Sequence, residues 1–125
     1  MSYRKTIVER IVRVKILGIK INLTHNAKNL VFLLKEIVSK KNSFTHEDFA
    51  NWCMVYADNF REVDFSNPVE QSAYEVADDI DAQWELYLVN TYTLEQLQGD
   101  RSKITVPDDW FKEWLVKLNY RGTLL

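Results

Sequence analysis

The sequence predicts an all-α fold, a helical bundle of four or five helices forming a single domain over residues 1–125. Three observations predict it. Only three Gly and two Pro are present, too few for the many tight turns of a barrel or sandwich. Apolar residues make up 46% of the chain, with four Trp, six Tyr and six Phe, and 125 residues can bury a core of that kind without disulfides or metal. Side chains that cap helices recur just ahead of segments whose apolar residues are spaced by three and four.

Residues 3–22 read two ways. Ile7, Ile11, Val14 and Leu17 have helical spacing behind a Ser2 cap, whereas Val12, Val14 and Ile16, then Ile19 and Ile21 around Gly18, alternate as a short β-hairpin near residues 12–22 would. Helix is preferred, because a lone hairpin would have few strands to pair with. The next segment, LTHNAKNLVFLLKEIVSKKN, offers Thr24 as cap, an apolar set of Leu30, Phe32, Leu33, Leu34, Ile37 and Val38, and Lys40 and Lys41 at the end where the dipole favours cations. In FTHEDFANWCMVYADNF, Thr45 and Asp48 form a relative of the capping box, and Phe49, Trp52, Cys53 and Tyr56 share one face.

SNPVEQ places Ser66 or Asn67 at a cap and Pro68 at the first helical position, where its missing N–H costs nothing; that helix should run to about Leu88. TLEQLQG is a short helix stopped by Gly99. TVPDDWFKEWLVKL starts with Pro107, Asp108 and Asp109 and carries Phe111, Trp114, Leu115 and Leu118 on one face.

The net charge of −2 conceals a division. Residues 1–41 hold ten Lys/Arg against Glu9 and Glu36, while residues 42–125 hold six Lys/Arg against sixteen acids. Within residues 47–85 there are eleven acids and one base, Arg61. Asymmetry of this size bears on partners and association rates more than on fold. The single Cys53 forms no intrachain disulfide, which fits a reducing compartment, and charges at Glu9, Arg10, Arg13 and Lys15 interrupt any apolar run of the first residues. A cytoplasmic protein that neither spans nor binds a membrane is expected.

The acidity concentrates in YEVADDIDAQWELY. At about 100° per residue, Val69, Ala73, Val76, Ile80, Trp84 and Tyr87 form a core sector. Asp78, Asp81 and Glu85 line up roughly opposite, bordered by Tyr74 and Glu70 and flanked by Asp79 and Glu75. Like charges at these spacings repel, at a few tenths of a kcal/mol per pair, and no Lys or Arg relieves them. The pattern fits an ordinary solvated face, and it fits a surface for a basic partner, either another protein or residues 1–41 of this chain. Tyr74, with Tyr56 or Phe60, would supply the aromatic anchors that interfaces favour.

No catalytic motif is present. His25, His46 and Cys53 lack the spacing of a zinc site, so His46 is expected on the surface of a first helical turn and Cys53 in the core. No phosphate-binding glycine loop or nucleophile elbow occurs, and no cofactor or metal is implied. Arg4, Lys5, Arg10, Arg13, Lys15 and Lys20 could contact phosphates, which keeps a small nucleic-acid-binding regulator as the alternative, beside a structural subunit or homodimer. The acidic remainder makes nucleic acid the less favoured partner.

The segments FTHEDFANW and VPDDWFKEWLVKL resemble helices of small bacterial toxin-immunity proteins, those of colicin-like and contact-dependent inhibition systems. The resemblance implies a non-enzymatic inhibitor that binds a basic toxin nuclease tightly, its acids covering the surface the toxin uses for nucleic acid. Tyr74, Glu75, Asp78, Asp79, Asp81 and Glu85 are then the expected partner-binding residues. The strongly basic first third departs from that pattern.

Overall fold

The computed structural model describes residues 21–120, with side chains described through Leu118. Nearly all of the helix-or-hairpin reading of residues 3–22 falls outside that range. Among the described residues the fold is an all-α bundle of five helices: α1 (Ala27–Val38), α2 (His46–Phe60), α3 (Pro68–Thr91), the single turn α4 (Leu94–Leu97) and α5 (Asp108–Tyr120). None of these helices is long and apolar enough to cross a membrane.

The caps explain the helix starts. Thr45 and Asp48 close a complete capping box at α2, and Thr93 with Gln96 closes another at α4. Asn67 caps α3 by accepting from the N–H groups of Val69 and Glu70, with Pro68 following it. At α1 the expected cap shifts by two residues: Asn26 accepts from Asn29 N–H, and Thr24 contributes its carbonyl to the Asn29 side chain instead. The first N–H of α1, on Ala27, is satisfied from another helix by Glu70 Oε1 at 2.9 Å, placing a carboxylate at a helix N-terminus.

Helix α1 ends in a Schellman turn. The Lys40 N–H bonds to the Ile37 carbonyl and the Lys41 N–H to that of Glu36, with Lys40 at φ 63°, the left-handed region that glycine normally fills. The Lys40 ammonium reaches Asp108 at the start of α5 rather than its own helix end.

Helix α3 is the centre of the bundle, contacted by α2, α1 and α5. It runs antiparallel to α2, since Cys53 lies near Asp81 while Arg61 reaches Asp78, and antiparallel to α5, where Asp79 meets Trp114 and Tyr87 meets Trp110. Two files of rings fill the space between helices. One follows α2 through His25, Trp52, Tyr56 and Phe60 to Phe65 and Tyr74, with successive centroids 4.7–5.9 Å apart. The other passes from Phe44 and Phe49 through Phe111, Trp114 and Trp110 to Tyr87 and Tyr92. Tilted and edge-on pairs at these distances add about 0.5–1.5 kcal/mol each beyond burial. The expected core residues Phe49, Trp52, Cys53, Tyr56, Phe111, Trp114 and Leu118 are all buried, and Leu115 is half-buried. Phe32 is not core: half of its surface is exposed, and Val31 is buried in its place.

Candidate protein-binding surface

The six residues expected to bind a partner do not share one face. Glu75 is exposed and accepts from the Gln71 side chain at 3.0 Å. Asp78 lies 3.6 Å from Arg61, which also holds Asp58 at 3.0 Å. Asp79 accepts from Trp114 Nε1 at 2.9 Å and stands 3.7 Å from Lys117. Tyr74 is half-buried against Phe65.

Asp81 and Glu85 correct the helical wheel. Their relative exposures are 0% and 5%, so neither contributes to an open acidic line. The wheel took the apolar sector as the whole buried arc, which holds for a helix lying on a core. Helix α3 is instead enclosed by three others, and its buried arc extends past the apolar residues to include both carboxylates. Asp81 faces α2, where its charge adds to burial in pushing the Cys53 thiol well above its ordinary pKa. That thiol is inert and protonated at neutral pH. Along one side of α3, Glu75 and Val89 are exposed and Asp78, Ala82 and Leu86 between them half-buried, a side acidic in its first half and apolar in its second.

A different set of acids runs through the corner segment where α2 passes into α3. Residues 58–79 hold seven acids against Arg61 alone. Among these acids Glu62, Asp64 and Glu75 are exposed and Asp58, Glu70, Asp78 and Asp79 half-buried. Between them lie the half-buried rings of Phe60, Phe65 and Tyr74, with Val63 exposed beside them. Tyr56, expected as an anchor, is buried; Phe60 is available. Glu62, Asp64 and Phe65 were missed because they sit in a connection and not on a helix face. The signal for them was the acid–aromatic run FREVDF just before the Asn67–Pro68 cap.

The two histidines are held in the fold. His25 packs on Trp52 and Tyr56, and burial lowers its pKa against a smaller raising effect of a Trp52 backbone hydrogen bond. His46 is not a free surface side chain: it is half-buried edge-on to Phe111, and its Nδ1 accepts from Val106 N–H at 3.1 Å. Next to it, Glu47 forms a largely buried ion pair with Arg101 at 2.7 Å. Among the described residues no three His, Cys, Asp or Glu side chains converge on a cation position.

Asp79 gives a local test of the α3–α5 seam. Replacing Trp114 with Phe keeps an aromatic ring but removes the donor to the carboxylate and part of the buried indole, which should cost at least about 1–2 kcal/mol in urea unfolding. In an Asp79→Asn background the cost should fall, as a double-mutant cycle would register. Compared with known proteins, the chain matches no family model, no curated protein and no solved structure.

Proposed function

We propose that this chain is a non-catalytic binding protein that takes a basic protein partner on the α2–α3 corner, and that it acts as an immunity protein against a basic toxin nuclease. The observation that carries the reading is the run of Asp58, Glu62, Asp64, Glu75 and Asp78, with Arg61 as the one base in that stretch of sequence, along the segment that carries the half-buried Phe60, Phe65 and Tyr74 rings. Interfaces commonly have this layout, with aromatic anchors at the centre and polar groups at the rim. Acids at the rim raise the rate of encounter with a basic surface and reject acidic competitors. Of the residues first expected to bind, Tyr74, Glu75 and Asp78 border this corner, while Asp79 lies in the α3–α5 seam. Asp81 and Glu85 support α3 from inside.

The test is a pull-down with the purified chain from the cells that produce it, washed at low and at high salt. Stoichiometric recovery of a basic, nuclease-sized protein is expected. Glu62→Lys combined with Asp64→Lys should then weaken binding at least about tenfold, mainly through slower association, with an unchanged circular dichroism spectrum. Recovery of nucleic acid that high salt removes, or full affinity in the double variant, would overturn the proposal.

A further inference from the structure

The segment between α4 and α5, residues 98–107, lies as a strap over the first turn of α2 and is fastened there twice. Arg101 is paired with Glu47, and the Val106 N–H donates to His46 Nδ1. The strap roofs a cleft of about 340 Å³ whose walls include Thr45, Glu47, Asn51, Leu97 and Arg101. The second fastening has a chemical condition that the first lacks. An imidazole nitrogen accepts a hydrogen bond only while it carries no proton, and the imidazolium donates from both nitrogens. A protonated His46 would therefore set an N–H against the N–H of Val106.

We infer that His46 is a proton-gated latch, which holds the strap on α2 in neutral solution and releases its Val106 end on acidification. The surroundings of His46 are specific. From the end of α1 comes Lys40, and from the first turn of α5 comes Asp108, the two joined to each other at 2.7 Å. Lys112, one turn further along α5, faces Asp108. On its own helix stand Glu47, occupied by Arg101, and Asp48, which accepts from the Thr45 N–H. Phe111 covers the ring edge-on.

Burial lowers the pKa of His46; the Asp108 charge opposes that effect and the Lys40 charge adds to it. The folded chain therefore binds this proton less readily than the unfolded chain does, where the pKa is about 6.5. The stabilising contribution is complete above pH 6.5 and is lost as the pH falls below it towards the lowered folded value.

The test is amide hydrogen exchange followed by NMR between pH 7.5 and pH 5, corrected for intrinsic exchange. The protection of Val106 should fall at least about tenfold while that of Ile80 in α3 stays constant. His46→Asn places an amide oxygen near the position of Nδ1 and does not titrate, so its Val106 protection should be independent of pH. As a second measurement on the unaltered protein, the Val106 amide shift and the His46 ring resonances should titrate with one midpoint. PH-independent protection in the unaltered protein, a persisting fall in His46→Asn, or two separate midpoints would each overturn the latch.

Discussion

Asp81→Lys is expected to destabilise the chain strongly, whereas Glu75→Lys, six residues earlier on the same helix, should be close to neutral. Asp81 has no exposed surface, and it faces the α2 side of the core at Cys53. A lysine there would place a longer side chain and a cation among the buried side chains of α2 and α3, at a cost of about 3–5 kcal/mol. A domain of this size is stable by only about 5–15 kcal/mol, so a loss of that size takes a substantial share of the margin. Glu75 is exposed, and its reversal should stay within about 0.5 kcal/mol. Urea unfolding followed by circular dichroism measures both. Matching midpoints for the two variants would contradict the wide buried arc of α3. The comparison also governs how binding is tested, since loss of a partner on changing Asp81 would report unfolding, and changes at Glu62 and Asp64 would not.

The second large effect is expected at Phe111, which is buried between His46, Phe49 and Trp114 with ring centroids at 4.6, 6.1 and 5.5 Å. Phe111→Ala removes a ring from the middle of that file and leaves a cavity whose walls come from α2 and α5. The cost should be about 3–5 kcal/mol, which lowers the melting temperature by about 10–20 °C. Phe32→Ala is the control. Its ring is 50% exposed, so the same chemical change there should cost under about 1 kcal/mol. Equal losses at the two positions would mean that Phe111 does not join the helices as described.

Helix type and helix starts were legible in the sequence because they are written in local chemistry. Thr45 with Asp48 specifies one start, Ser66 or Asn67 before Pro68 brackets a second to within one residue, and TLEQLQG marks a short helix; the structure has all three, with Asn67 and Thr93 as the caps. The miss at Asn26 has a local cause as well: Thr24 and Asn26 can both cap, and the fold uses the carbonyl of one and the side chain of the other. The candidate surface was less legible, for a reason of geometry. A wheel describes one helix with one dry side, and the number of neighbours around α3 is a property of the whole chain. Asp81 and Glu85 were misplaced for that reason. Phe32 on α1 was instead counted by its apolar character, although at about 100° per residue it lies roughly opposite Leu30, Leu33, Leu34 and Ile37. The contact of His46 with Val106 spans 60 residues and leaves no periodic trace.

The order in which these helices meet along the chain carries a kinetic consequence. The α2–α3 hairpin closes through a connection of a few residues, whereas the Lys40–Asp108 contact between the end of α1 and the start of α5 joins positions 68 apart. Closing the longer loop costs more chain entropy before any contact offsets it, so the hairpin is the natural nucleus and α5 docks late. Interactions made late leave the folding rate nearly unchanged and act on the rate of escape from the native state. The α5 side of the bundle therefore sets how long the native state lasts, while the acidic corner belongs to the part that forms first.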